Sequence, residues 1–254
     1  MLVFALAFVP TPPGFGQDSM PLGSNEIPLM RSQFERWKDR GGQIEAHIRS
    51  GNFKKAESTA NGLLRDLKNK LTGGPDAGRI LAMPLALRAL ARVGLKREND
   101  GLWDYQMAAV LWPSLAQVRL DEYGPTGVRL AQIVEEAARV EAALARRTSI
   151  VGPNGQDEYN DQEVTPPMAL AKEGVDFPVS LQIAMRSGQA VIAMFIDEEG
   201  RPHAPQIQSG SSQNALFLFA AMDGVRNWRF RPAMLRGKPI ACGYSLTVNY
   251  RLAG

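Results

Sequence analysis

Near the end of this 254-residue chain lies the stretch Asn227-Trp228-Arg229-Phe230-Arg231-Pro232, where a helical pattern passes into an extended one. Before it, apolar residues recur at helical spacing, at Leu218, Met222 and Val225. Pro232 cannot continue a helix, and it favours an extended conformation at Arg231. Trp228 and Phe230 carry large apolar rings. The stretch therefore predicts a helix followed by a short strand, with both rings in the core of a small domain.

Two extended segments precede this helix and are separated by a short acidic turn. The first segment is the apolar run 190–196, which has the length of a strand. The turn is 197–200, in which Gly200 can adopt a positive φ. The returning segment, 201–209, contains Pro202 and Pro205, and two prolines restrict it to the edge of a sheet. These residues predict a β-hairpin.

A last strand closes the chain after a turn at 237–239. Apolar residues alternate with polar ones here, so that Leu246, Val248, Tyr250 and Leu252 share one face. The order strand, strand, helix, strand most simply places the first strand in the centre of a three-stranded antiparallel sheet. The last strand, which lacks proline, is then the edge that an extended peptide could join. The candidate docking residues are Tyr244, Ser245, Leu246, Thr247, Val248, Asn249, Tyr250, Arg251 and Leu252. Alternatively, the chain's own linker or a neighbouring molecule covers this edge.

This pattern resembles the C-terminal domain of the TonB energy-transducer family. The resemblance covers 173–254 and rests on an ordered set of residues, chiefly Phe177, Pro178, Gly200, Trp228, Phe230 and Pro232. It implies an α+β domain that adds an extended partner segment to its sheet edge. For intact transducers it also implies energy coupling, with the N-terminal box of an outer-membrane transporter as the partner. The membrane anchor and proline-rich spacer of such transducers are not visible here, so a soluble periplasmic scaffold is the alternative.

The rest of the chain divides into three predicted parts. Residues 1–20 contain the apolar run 2–9, which is too short to span a membrane but fits a secretory signal. Residues 21–147 predict an all-α region of tetratricopeptide-like helix pairs, with an irregular helical bundle as the alternative. Residues 148–172 are rich in Gly, Pro and acidic residues and predict a linker. We expect a periplasmic protein; an inner-membrane anchor would require a start further upstream, and a cytoplasmic protein is the alternative.

Composition argues against several classes of function. The net charge is only +3, and no dense block of Lys and Arg suggests nucleic-acid binding. One cysteine excludes an intrachain disulfide, and two histidines cannot form a multi-histidine metal site. No catalytic motif is present, so we expect no enzyme, no cofactor and no small-molecule substrate. Protein partners remain the expected ligands.

The first strand of the predicted domain is apolar on both faces, and one helix can cover only one of them. Phe219 and Leu218 add apolar surface to that helix. Because large exposed apolar patches are rare on monomers, we expect the helical region or a second copy of the chain to cover the excess.

Overall fold

The computed structural model describes residues 28–148, 164–171, 174–208 and 211–252. The signal-like segment 1–20 and most of the predicted linker lie outside these residues. Contacts divide the chain into 1–36 and one compact unit, Trp37–Gly254. The following description concerns the second unit, apart from the start of the first helix.

The N-terminal part of the described chain is helical, as predicted. Its helices are α1 (Pro28–Arg49), α2 (Phe53–Lys70), α3 (Ala77–Gly94), α4 (Glu98–Leu111) and α5 (Gly124–Thr148), and two 3₁₀ turns, Pro113–Gln117 and Leu120–Tyr123, precede α5. Helix α3 contacts α2, α4 and α5. Because these neighbours surround it, α3 is buried along most of its length, and Pro84 lies in its interior. The assignment to tetratricopeptide repeats stays a prediction.

The C-terminal part contains two helices and most of the strands. The helices are α6 (Val179–Ile183) and α7 (Ala215–Val225); the strands are β1 (Val164–Thr165), β2 (Met168–Ala171), β3 (Gly188–Ile196), β4 (Pro202–Ile207), β5 (Arg229–Arg231), β6 (Ala233–Leu235), β7 (Lys238–Ile240) and β8 (Cys242–Tyr250). The main sheet has the order β4-β3-β8 and is antiparallel. The predicted central position of the first strand is thus confirmed.

Part of the predicted linker is structured. Residues 164–171 form β1 and β2, which pair with β6 and β5 of the C-terminal part. Thr165 pairs with Met234 and Met168 with Arg231, so the two chain segments run side by side. Both segments have a proline between their strands, which interrupts the ladder because proline has no N–H to donate. The assignment of all of 148–172 to a linker is therefore wrong for these residues: Pro166 and Pro167 suggested a break, whereas pairing with β5 and β6 stabilises two short strands.

Helix α7 lies between the main sheet and the helices. It contacts β3 and β4 on one side and α3 and α4 on the other. Its sequence is apolar nearly all round, as expected for a helix that is covered on more than one side. Phe217 packs against Tyr250 of the sheet. Phe219 is 2% exposed and shares a helix face with Asp223 and Arg226, which contact charged residues of the helical region. The apolar surface that Phe219 adds to α7 is therefore covered by the chain itself.

A buried ionic cluster joins α7 to the helical region. Asp104 of α4 is fully buried, and it accepts hydrogen bonds from Arg88 at 2.7 and 2.8 Å, from Arg92 at 2.7 Å and from Arg226 at 2.8 Å. Burial alone would raise the pKa of Asp104, but the guanidiniums of Arg88, Arg226 and Arg92 hold it below its usual value. Glu57 and Asp223 balance further positive charge in the cluster.

Candidate binding edge

The outer edge of β8 carries the free backbone groups of the main sheet. The C=O of Val191 accepts from the N–H of Gln208 and its N–H donates to Ser211 Oγ, so Val191 directs its backbone groups towards the β4 side. Backbone direction alternates along a strand, and Ile192, which pairs with Leu246, therefore faces β8. It follows that four residues of β8 direct their N–H and C=O groups outward: Gly243, Ser245, Thr247 and Asn249. All four are exposed.

No strand lies beyond β8 among the residues that the structure describes. Helix α5 contacts β8. Its Glu141 interacts with His203 of β4, which pairs with Phe195, and Phe195 in turn pairs with Gly243. Glu141 therefore lies towards the Gly243 end of β8, and Ser245, Thr247 and Asn249 are exposed among the residues that the structure describes.

The opposite edge of the sheet is a poor template for a partner strand. Strand β4 contains Pro202 and Pro205, and Ala204 has a φ of 52°, which accompanies a register shift between β3 and β4. Pro202, Ala204 and Pro205 are buried, and α4 contacts this strand. Missing donors, an irregular register and a covering helix together close this edge.

Aromatic contacts hold β8 at both of its ends. At the far end, Tyr250 stacks on Phe217 with 4.8 Å between ring centroids and meets the edge of Phe177 at 5.4 Å. Its hydroxyl donates to the backbone O of Phe217 at 3.2 Å. At the near end, Tyr244 meets Phe230 at 5.3 Å. These contacts lie on the inner face of the strand and leave the outward backbone groups of β8 unused.

The motif residues named from the sequence occupy different positions. Phe177 belongs to the cluster at Tyr250, and Pro178 is the buried residue before α6. Phe230 is buried, whereas Trp228 is half-buried and packs against the core. The reason is that Trp228 precedes β5 and reaches the core through Phe230, 6.2 Å away. Pro232 separates β5 from β6.

The docking residues are also not all equivalent. Residues 244–250 lie in β8, whereas Arg251 and Leu252 follow the strand, which ends at Tyr250 and begins earlier than predicted, at Cys242. Leu246 and Val248 are half-buried on the face towards α7, and Tyr244 and Tyr250 share that face. Alternation in the sequence identified the faces correctly. It could not identify Phe217 as the residue that fixes the end of the strand, because α7 is apolar on every side.

Gly200 of the acidic turn has a structural role that the geometry explains. Its φ is 76°, and an added Cβ would lie 1.8 Å from the backbone O of Phe230. Its own C=O accepts from the N–H of Phe230 at 2.9 Å, which ties the hairpin to β5. Gly200 therefore sets how close the turn comes to the strand that carries Phe230.

We expect Gly200→Ala to lower the free energy of unfolding by about 2–3 kcal/mol, through backbone strain and the forced separation from Phe230. Gly237→Ala is the matched control, since Gly237 has the same φ of 76° but no atom within 4 Å of an added Cβ. It should cost about 1 kcal/mol. Urea unfolding of both variants measures the difference. Equal losses would mean that strain alone, and not the contact with Phe230, makes this glycine necessary.

Two further findings concern the described part of the chain. Within residues 28–148, 164–171, 174–208 and 211–252, no helix combines the length and apolar character needed to cross a membrane. Among the same residues, no three or more His, Cys, Asp or Glu side chains are grouped so that they could hold a metal ion.

Comparison with known proteins places the C-terminal part in a family. Residues 174–252 match the family model described as Gram-negative bacterial TonB protein C-terminal. This segment is thus a TonB-type C-terminal domain, as the motif residues indicated. A solved structure titled "Solution NMR structure of Pseudomonas aeruginosa TonB CTD" is 20% identical, with a TM-score of 0.31 over 37% of this chain and 92% of that chain. No curated protein matches the chain.

Proposed function

We propose that this protein binds partner proteins by adding an extended segment of the partner to the outer edge of β8. One observation carries the proposal: β8 is an edge strand whose outward backbone groups belong to the exposed residues Gly243, Ser245, Thr247 and Asn249. Backbone hydrogen bonds would supply the affinity and alternate side chains the register. The N-terminal box of an outer-membrane transporter is the partner that the TonB-type domain favours, and the protein acts in the periplasm.

The role of the bound partner has two candidates. One is energy coupling to an outer-membrane transporter, which the TonB-type domain favours. The other is a soluble periplasmic scaffold that holds a partner without transmitting energy. The packing of α7 against α3 and α4 and the Asp104 cluster favour the scaffold, because they make the helical region and the sheet parts of one compact unit.

The test of the edge is a proline that removes an outward N–H. We expect Thr247→Pro to weaken binding of a transporter box peptide at least about tenfold, since one ladder hydrogen bond is lost and the ring obstructs the incoming strand. Thr247→Ala, which keeps the N–H, should bind as the parent does. Fluorescence anisotropy with a labelled peptide measures both affinities, and circular dichroism checks the fold.

Asn249→Pro is a second variant of the same kind, because Asn249 also directs its N–H outward. If Thr247→Pro perturbs the fold, this variant keeps the test decisive. Unchanged peptide affinity in a folded proline variant would rule out this edge. A chain that is dimeric as the parent and monomeric as Thr247→Pro would assign the edge to a second copy instead.

A further inference from the structure

The segment of the chain that contains β8 is basic. From Val225 to the end of the chain the sequence has six basic residues and no acidic one. Arg226 is used in the buried cluster with Asp104. The other five are exposed, namely Arg229, Arg231, Arg236, Lys238 and Arg251. Within the described part of the chain, Arg229, Arg231, Lys238 and Arg251 form no ion pair with a carboxylate at 4 Å or less.

These charges lie at both ends of the candidate edge. Lys238 belongs to β7, which leads into β8 through Ala241 alone, and Arg251 directly follows β8. Arg229 and Arg231 flank Phe230 on β5 and point away from it, while Phe230 contacts Tyr244 near the start of β8. Basic residues therefore lie beyond both ends of the strand, whose own length from 242 to 250 is uncharged.

Asp176, Glu141 and the acidic turn 197–199 lie near the ends of the strand. The turn follows Ile196, which pairs with Cys242; its Asp197 and Glu199 form ion pairs with Arg201, and its Glu198 is exposed. Asp176, near Tyr250, forms an ion pair with Lys68 at 2.5 Å. Glu141, near the other end, accepts a hydrogen bond from Gln106 at 2.6 Å. Neither pairs with a basic residue that flanks β8.

The two faces of β8 set the pattern of an incoming strand. Tyr244, Leu246 and Val248 face α7 and are only half-buried. Apolar side chains at alternate positions of an added strand would pack beside them and bury them further. On the other face, Ser245, Thr247 and Asn249 are exposed and polar, and the intervening side chains of the added strand would lie beside them.

We infer that the partner segment is acidic as well as extended, with apolar residues at alternate positions facing α7 and carboxylates among the intervening ones. This inference rests on the proposed binding at β8 and specifies its partner class. Opposite charge at the edge would fix the register and raise the association rate more than it adds to affinity, because exposed ion pairs are screened.

Three synthetic peptides of the length of β8, 9 residues, test the inference on the full chain. They alternate valine with glutamate, with threonine or with lysine. At low salt we expect the glutamate peptide to bind about fivefold more tightly than the threonine peptide, and the lysine peptide more weakly than either. The difference should disappear as salt rises from about 0.05 to 0.5 M.

Charge variants locate the effect. Lys238→Gln combined with Arg251→Gln should remove most of the preference for the glutamate peptide over the threonine peptide. Lys54→Gln with Lys55→Gln, an exposed basic pair at the start of α2, is the matched control and should leave this preference unchanged. A preference that survives the first pair of substitutions would overturn the inference.

The outcomes separate this inference from the proposed function. If all three peptides bind equally at every salt concentration, the edge binds strands without regard to charge. That result would contradict the inference and leave the proposed function standing. If none of the peptides binds, the proposed function is contradicted, and the inference with it. A third outcome would assign the basic residues to a lipid and overturn the inference. In it, the parent and Thr247→Pro both co-sediment with phosphatidylglycerol vesicles, and the three peptides show no charge preference.

Discussion

Asp104→Ala should lower the free energy of unfolding by about 3–5 kcal/mol, because it leaves three arginines buried without their shared carboxylate. Arg88, Arg92 and Arg226 all donate to Asp104, and side chains of Arg88, Arg92 and Arg226 are 7, 9 and 10% exposed. None of these guanidiniums can lose its proton to relieve the charge. Urea unfolding monitored by circular dichroism measures the loss.

Asp100→Ala is the control for this prediction. Its carboxylate lies in the same helix but is 45% exposed; it pairs with Arg97 at 2.7 Å and lies 3.9 Å from Arg226, so the variant should lose no more than about 1 kcal/mol. Losses of similar size in Asp100→Ala and Asp104→Ala would mean that the buried cluster stabilises the fold no more than an exposed ion pair does. A double-mutant cycle between Asp104 and Arg226 would measure the interaction energy between these two residues, and so the part of the loss that comes from the contact between α4 and α7.

The same carboxylate predicts a pH dependence. The folded protein holds the pKa of Asp104 below its usual value. The ionised Asp104 carboxylate therefore contributes stability above the pKa that this side chain has in the unfolded chain, about 4. That contribution is lost as the pH falls towards the folded pKa. The stability difference between parent and Asp104→Ala should therefore shrink on acidification below about pH 4, and a difference that grows would contradict the assignment.

The second large effect is expected at Phe219, whose ring is 2% exposed on the α7 face that carries Asp223 and Arg226. Phe219→Ala should cost about 3–5 kcal/mol, since it leaves a cavity where α7 meets the helical region. The main sheet does not depend on this ring directly, because Phe217, on another face of α7, makes the contact with Tyr250.

Leu218→Ala is the neighbouring control, because Leu218 is only half-buried and should lose clearly less. Thermal unfolding of both variants gives the comparison, and dye binding shows whether apolar surface becomes exposed. If Leu218→Ala costs as much as Phe219→Ala, the helical region does not cover the α7 face that carries Phe219.

The candidate edge could be predicted from sequence because its determinants are local. Alternation between Leu246 and Asn249 identified a strand with one polar face, and two prolines identified the weaker edge at β4. Trp228 shows the limit of this reasoning: size and apolarity predicted a core residue, and its position just before β5 leaves it half-buried against the core. The strands at 164–171 were missed because pairing with β5 and β6 stabilises them, not their own composition.

The sequence by itself determined the elements of this protein: the helix–strand order, the turn at Gly200, the faces of β8 and the family of its last third. These follow from periodicity, proline and glycine, which act over a few neighbouring residues. Only the tertiary structure decided that α7 is covered by α3 and α4 and that Asp104 accepts hydrogen bonds from Arg88, Arg92 and Arg226. Asp104 and Arg226 are 122 residues apart, and any of the chain's many arginines could have met this carboxylate. A buried charge selects its partners by three-dimensional proximity, which no local pattern encodes.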